Sequence, residues 1–172
     1  MRGLKIGVLL LAVVTFVGLG AVSSVLAEEK PRQGGTLRVA LAGDPPSLDM
    51  HQEQTFMVTI PMSPVYNTLV TFDPHGYPKV VGDVAKSWTV SEDRMTYTFT
   101  LHQGVKFHDG SELTAEAIRF SFTRLLTLGK APAGIFKRMG LTPEHIRVLS
   151  PHTIEFQLDQ PFGPFRMAIP IV

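Results

Sequence analysis

The chain has 172 residues, of which 44% are hydrophobic and 18% charged, with 16 basic residues against 15 acidic ones. This near-neutral balance argues against a nucleic-acid-binding protein, because such proteins usually carry an excess of Lys and Arg. The absence of cysteine excludes a disulfide framework, although an extracytoplasmic compartment would permit one.

The N-terminus has the layout of a secretory signal peptide. Arg2 and Lys5 precede an uncharged run over 6–22, and Val25 and Ala27 occupy the two positions that a signal peptidase reads. We therefore predict cleavage after Ala27. An uncleaved membrane anchor is the alternative, because the apolar run is about as long as the shortest spanning helices. Since no cysteine follows the signal to carry a lipid, we expect a soluble periplasmic protein rather than a lipid-anchored one.

The first predicted elements after the signal are short. Residues 36–41 alternate apolar and polar side chains and end at Gly43-Asp44-Pro45-Pro46, which predicts a strand followed by a turn. Residues 56–70 are apolar but contain two prolines, so a helix or an irregular segment is expected there. Asp73-Pro74-His75-Gly76 is a typical turn sequence.

The clearest local pattern is a β-hairpin. Residues 91–94 form a polar turn between two β-rich runs, and Tyr97, Phe99 and Leu101 then alternate with threonines. Strict period two with aromatic and β-branched residues predicts a strand with one buried face. Residues 105–107 are expected to extend the same sheet.

A helix and a second hairpin follow. Apolar residues at i, i+4 and i+7 predict an amphipathic helix over 115–126, with Thr114 as its N-cap and Gly129 as its stop. Residues 130–140 contain Pro and Gly and are expected to form a loop. Two β-rich runs within 146–158 resemble a second hairpin. Strands, one helix and further strands predict a mixed α/β (α+β) lobe.

The chain ends in an apolar stretch, 168–172, without a polar tail. Because domains usually end at an exposed surface, we expect 28–172 to be the N-terminal part of a longer domain. A natural C-terminal strand ending in Ile-Val is the alternative.

No motif predicts catalysis or metal binding. The six histidines lie mostly in predicted turns and lack the helical spacing of a zinc site, so solvated loop histidines are the preferred interpretation. There is no Gly-x-Ser-x-Gly elbow and no phosphate-binding loop. A catalytic triad assembled only in space stays open. We therefore expect no catalytic residue, no metal ligand and no cofactor.

The order and spacing of several short motifs resemble those of extracytoplasmic solute-binding proteins, family 5, of peptide and nickel ABC importers. Each motif is weak alone, but together they cover nearly all of the chain after the signal. They include Gly-Gly-Thr-Leu at 34–37, Ser-Leu-Asp at 47–49, and the segments 69–76, 84–88, 96–101, 104–110, 113–117 and 154–158.

The resemblance implies a type II-like periplasmic binding protein, with two lobes that close on a ligand by hinge motion and deliver it to an inner-membrane permease and its ATPase. This chain would supply only the first part of lobe I. The implied ligand is a di- or oligopeptide, and the implied protein is a monomer without catalytic activity. A nickel or metal-chelate receptor, a periplasmic hydrolase and an inactive fragment are the alternatives.

The resemblance also implies a ligand-binding segment. In oligopeptide-binding relatives, the stretch shortly after Ser-Leu-Asp pairs its backbone with the bound peptide, and here it corresponds to Gln54, Thr55 and Phe56. Backbone pairing of this kind is insensitive to peptide side chains. Gln54 stands where a peptide binder can carry an acid, so a charge-paired role at this position is not expected. An ordinary surface loop is the alternative.

Overall fold

The computed structural model of the chain describes residues 34–163 and residue 165. The predicted signal peptide with its cleavage site at Ala27, and the apolar end at 168–172, lie outside the described residues. The chain divides into a first unit, 1–39, and a second unit, 40–172. All regular elements described below belong to the second unit.

The predicted strand at 36–41 is wrong, because these residues have no regular secondary structure. Leu37 is 89% exposed and Val39 is 65% exposed. Apolar alternation creates a face that can be buried, but a strand also needs a neighbouring strand to complete its hydrogen bonds. Among the described residues, no strand pairs with this segment.

Three elements build one end of the second unit. Helix α1 begins directly after Thr55, and Pro61 lies inside it. Strands β1 and β2 pair antiparallel and are joined through the predicted turn at 73–76, in which the Gly76 amide donates to the Asp73 carbonyl at 3.2 Å. The bounds are α1 Phe56–Met62, β1 Val70–Phe72 and β2 Val80–Gly82.

The remaining elements form a sheet covered by a helix. Strands β3 to β6 make a four-stranded antiparallel sheet in the order β3-β4-β6-β5. Helix α2 packs against β5 and β6 and against the short helix α3. The bounds are β3 Ala85–Val90, β4 Thr96–Leu101, α2 Ala115–Leu128, α3 Ala133–Arg138, β5 Ile146–Ser150 and β6 Thr153–Gln157.

Both predicted hairpins are confirmed. In the first, Val90 faces Tyr97 and Trp88 faces Phe99 across the β3–β4 pair. Arg94 closes its turn with a φ of 60°. In the second, Val148 faces Ile154 across β5 and β6.

An aromatic core fills the space between the sheet and α2. Phe156 is fully buried, and its ring lies 4.9 Å from that of Phe122 and 5.8 Å from that of Phe99, centroid to centroid. Tyr97 is also buried, whereas Trp88 is only partly buried against the core. Aromatic rings at these separations add contact energy to the burial of their apolar surface.

Helix α2 has the predicted position, with Thr114 as its N-cap residue, but without the side-chain hydrogen bond of a typical cap. Thr114 has the extended backbone of an N-cap, yet its side chain makes no capping hydrogen bond. The helix ends at Gly129, whose left-handed φ of 63° favours glycine. The apolar positions predicted from spacing, Ile118, Phe122 and Leu125, are buried.

Two further predictions are corrected. Residues 130–140 contain helix α3 rather than only a loop, because Pro132 at the N-cap has a φ of −60°, which suits the start of a helix. Gly140, with a φ of 75°, follows its end. Residues 105–107 do not extend the sheet, since Lys106 makes only an isolated bridge to Glu112.

Candidate functional site

A cleft of about 360 Å³ lies between the segment before α1, the start of β1, the corner between β2 and β3, and helix α2. Its walls combine charged, amide and hydroxyl groups rather than a continuous apolar surface. The polar residues that line it include Asp49, His51, Tyr66, Asn67, Asp83, Ser121 and Arg124.

The centre of the cleft is an ion pair between Asp49 and Arg124. Nη2 of Arg124 donates to Oδ2 of Asp49 at 2.5 Å, and Nη1 donates to Oδ1 at 3.1 Å. This two-point geometry matches the planar guanidinium to the carboxylate. The side chains are 38% and 26% exposed for Arg124 and Asp49, so water partly screens their attraction.

Asp49 also organises the backbone that follows it. Its carboxylate accepts hydrogen bonds from the His51 amide at 3.0 Å and from Nε2 of Gln52 at 2.9 Å. Its carbonyl oxygen accepts the amides of Gln52 and Glu53 at 3.0 and 3.2 Å. Hydrogen bonds, above all those from Arg124, hold the pKa of the Asp49 carboxyl well below its ordinary value, although burial opposes the shift.

His51 is held in one tautomer by Arg124. Nη1 of Arg124 lies 2.9 Å from Nδ1 of His51. A guanidinium only donates hydrogen bonds, so Nδ1 accepts and the proton sits on Nε2. Nε2 then donates to Oγ of Ser121 at 3.4 Å. Burial first, and the charge of Arg124 second, lower the pKa of His51 below its ordinary value.

Asp83 forms the opposite wall of the cleft. Its Oδ1 accepts a hydrogen bond from Nδ2 of Asn67 at 2.9 Å, and its Oδ2 accepts the Thr68 amide at 2.8 Å. The carboxylate thus ties the corner before β3 to the segment before β1. Gly82 precedes it, and a Cβ at that position would overlap the carbonyl oxygen of Ala85. A larger residue there would displace the backbone that carries Asp83.

The predicted ligand segment lies at the start of α1. Thr55 has an extended backbone, with φ −72° and ψ 160°, and helix α1 begins at Phe56. The Thr55 carbonyl accepts the amides of Val58 and Thr59, both at 2.9 Å. The Phe56 side chain is 81% exposed. None of Gln54, Thr55 and Phe56 is among the residues that line the cleft.

The interpretation of all the histidines as solvated loop residues is wrong for His51, which is half-buried and bonded to two side chains of α2. Sequence reasoning also missed Arg124. One signal was available, because Ser121 and Arg124 are polar and three residues apart in a helix that also supplies five buried core residues. Ser121 meets His51, and Arg124 meets both His51 and Asp49, which belongs to the Ser-Leu-Asp motif but lies 75 residues before Arg124.

Two further properties concern the described part of the chain alone. Within 34–163, no group of three or more His, Asp or Glu side chains is arranged to hold a metal ion. None of the helices described there combines the length and apolar character required to cross a bilayer.

The chain matches the model of a known protein family. The model of the bacterial extracellular solute-binding proteins, family 5 middle, matches residues 79–172. More than half of the chain is matched, and the chain belongs to this family. The resemblance inferred from the motif order is therefore confirmed.

Individual curated relatives are also named as peptide-binding proteins. The "Probable D,D-dipeptide-binding periplasmic protein DdpA" of Escherichia coli K12 is 39% identical over 137 residues, which cover 75% of this chain and 25% of that protein. The "Dipeptide-binding protein" of the same strain is 38% identical over 118 residues, covering 59% of this chain and 22% of that protein. The chain thus spans about a quarter of the length of the curated relatives it matches.

A solved structure shows the same fold. The murein tripeptide binding protein MppA of Escherichia coli superposes with a TM-score of 0.65 at 26% identity, covering 74% of this chain and 27% of that one. The predicted mixed α/β class and its likeness to periplasmic binding proteins are confirmed.

Proposed function

We propose that this chain is part of the substrate-binding component of an ABC importer for di- or oligopeptides. The observation that carries the proposal is family membership, together with relatives whose names specify dipeptides and a murein tripeptide as ligands. A small peptide is therefore the proposed ligand of the protein.

The proposed location is the periplasm, reached with a signal peptide cleaved after Ala27. Matching relatives are named as periplasmic proteins, which supports this location. The proposed partners are an inner-membrane ABC permease and its ATPase. We propose a monomer that binds no nucleic acid, and the near-neutral charge of the chain supports the second point.

Binding without catalysis is favoured by the tautomer of His51. A serine nucleophile needs a histidine nitrogen that accepts its proton. Here Nε2 carries a proton toward Ser121, while Nδ1 accepts from Arg124. With its proton on Nε2, His51 cannot act as a base toward Ser121. The contact between Ser121 and His51 therefore favours a structural role for both residues.

Three experiments test the proposed function. The protein expressed from its native gene is titrated calorimetrically with L-Ala-L-Ala, D-Ala-D-Ala, a tripeptide, and nickel with histidine. Peptides recovered after incubation are weighed by mass spectrometry. We expect saturable binding of at least one peptide and its recovery intact. Binding of nickel–histidine alone would favour the metal-chelate alternative, and cleaved peptide would favour a hydrolase. In the native organism, deletion of the gene is expected to reduce uptake of the bound peptide.

We further propose that the backbone of Gln54, Thr55 and Phe56 pairs with the peptide. The exposure of Thr55 and Phe56 and the extended backbone at Thr55 support this role. Thr55→Pro tests it, since the φ of −72° suits proline while the substitution removes one amide donor. Thr55→Ala is the matched control, because the Thr55 side chain makes no capping hydrogen bond. Loss of peptide affinity in Thr55→Pro but not in Thr55→Ala is expected; equal affinities would exclude pairing through this amide.

A further inference from the structure

The ion pair in the cleft joins two regions that are distant in the sequence. Asp49 lies at the start of the segment that leads to α1, and Arg124 lies in the last part of α2, 75 residues later. The residues that follow Asp49 lead directly to Gln54, Thr55 and Phe56. The guanidinium of Arg124 thus bonds to two side chains, Asp49 and His51, shortly before the proposed peptide-pairing segment.

We propose that Arg124 is a positioning residue for peptide binding. By holding Asp49 it sets the course of the backbone over 49–53, and thereby the place at which residues 54–56 meet a peptide. This inference rests on the proposed function of the segment 54–56. It assigns Arg124 no contact with the peptide itself.

The hydrogen bonds around Asp49 show how one contact controls the segment. The Asp49 carbonyl accepts the amides of Gln52 and Glu53, and its carboxylate accepts the amide of His51. These bonds are local and join Asp49 only to residues 51–53 that follow it. Arg124 supplies the link from this unit to a different element, through two bonds to the carboxylate and one to His51.

Helix α2 provides a rigid base for this link. Ile118, Phe122 and Leu125 are buried in the core on the other side of the helix. Arg124 therefore projects from a helix that core packing holds in place. A side chain on a fixed helix, bonded at two points to a carboxylate, restricts both the distance and the orientation of its partner.

The same helix offers a matched control. Arg119 forms its ion pair with Glu116, three residues earlier in α2. Its removal alters a charge on the helix but breaks no hydrogen bond or ion pair with another segment among the described residues. Arg124→Lys is the conservative variant, because lysine keeps the charge but lacks the planar fork that meets both carboxylate oxygens.

The test compares Arg124→Ala, Arg124→Lys and Arg119→Ala in the protein expressed from its native gene. Hydrogen exchange reports the amides of Gln52 and Glu53, and titration with L-Ala-L-Ala and D-Ala-D-Ala reports affinity. For Arg124→Ala we expect about a tenfold loss of affinity and of amide protection over 51–53, with β4 unchanged. Arg124→Lys is expected to recover part of both losses, and Arg119→Ala to resemble the unaltered chain.

A spectroscopic signature separates positioning from general destabilisation. The ¹⁵N shifts of the His51 ring report its tautomer, and Arg124→Ala is expected to release the preference for a proton on Nε2. Arg119→Ala is expected to leave the tautomer unchanged.

The outcomes are distinct. Unchanged exchange over 51–53 and unchanged affinity in Arg124→Ala would overturn the proposal. If the unaltered protein expressed from the native gene binds no peptide, the proposed function fails, while the exchange data still decide whether Arg124 positions 49–53. If Arg124→Ala does not fold, Asp49→Asn decides in its place. That variant keeps the side-chain size but removes the charge. A tenfold loss of peptide affinity in it supports the proposal, and an unchanged affinity contradicts it.

Discussion

The two sides of helix α2 make different kinds of contact. Ile118, Phe122 and Leu125 are buried on one side, where the helix meets the sheet. On the other side, Ser121 and Arg124 reach into the polar cleft. Apolar contacts scale with buried area and tolerate small displacements, whereas an ion pair and a histidine tautomer depend on distance and direction. One helix thus stabilises the fold with one face and organises the candidate site with the other.

The largest expected effect lies on the apolar side. Phe156→Ala removes a fully buried ring that faces three others, and we expect a loss of about 3–5 kcal/mol in the free energy of unfolding. Urea unfolding followed by the fluorescence of Trp88, the single tryptophan, measures it. Phe120→Ala is the control: its side chain is 69% exposed in the same helix α2, and a change within about 0.5 kcal/mol is expected. Similar losses for both variants would contradict the assigned core.

The polar side should contribute less to stability. Asp49→Asn weakens the ion pair with Arg124, which is partly solvent-exposed. We expect a lower free energy of unfolding, with a change roughly half or less of that for Phe156→Ala. The difference between Asp49→Asn and the unaltered chain should shrink at high salt, because added ions screen exposed charges. A loss equal to that of Phe156→Ala would show that the cleft is part of the core.

The cleft should also make stability depend on pH. The folded-state pKa of His51 lies below its ordinary value of about 6.5, so below that pH the unfolded chain binds more protons than the folded one. Stability should therefore fall as the pH drops from 7 toward 5. The groups facing His51 are Asp49, Arg124 and Ser121, and the pKa of Asp49 is lowered too, which adds a loss of the same sign at more acidic pH.

His51→Gln should remove part of the slope between pH 7 and 5, because glutamine does not titrate. Unfolding midpoints at several pH values measure the effect. His75→Gln is the control, since His75 is exposed in the turn at 73–76. If both variants keep the slope of the unaltered chain, protonation of His51 does not contribute to it.

The smallest effect is expected at the start of α2. An N-cap side chain usually contributes about 1 kcal/mol, but Thr114 makes no capping hydrogen bond. Thr114→Ala should therefore change the free energy of unfolding by less than about 0.5 kcal/mol. Urea unfolding again measures it, and a loss of 1 kcal/mol or more would show that the hydroxyl does cap the helix in solution.

Much of the fold was predictable because its signals are local. The alternation at 97, 99 and 101 identified β4, and the spacing at 118, 122 and 125 identified α2; both patterns face the core as expected. Thr114 and Gly129 marked the ends of α2 correctly. The strands predicted at 36–41 and 105–107 are wrong because they were inferred from the sequence pattern alone. Whether such a segment forms a strand depends on a second segment that pairs with it.

The candidate site was less predictable. The Ser-Leu-Asp motif is one of the motifs that indicate the family, but nothing near Asp49 in the sequence points to Arg124 as its partner. His51 was interpreted as a loop residue because its environment is supplied by α2. The proposed contacts at Gln54, Thr55 and Phe56 came from the resemblance and stay a prediction.

By itself the sequence determined the family, the two hairpins and the amphipathic helix, because hydrophobic periodicity and motif order are written in neighbouring residues. Only the tertiary structure decided which polar side chains meet. It placed Arg124 against Asp49 and His51 across more than 70 residues, and thereby set the ionisation of both partners. Apolar burial follows from spacing along one element, whereas a directional polar contact depends on how two elements are placed in space.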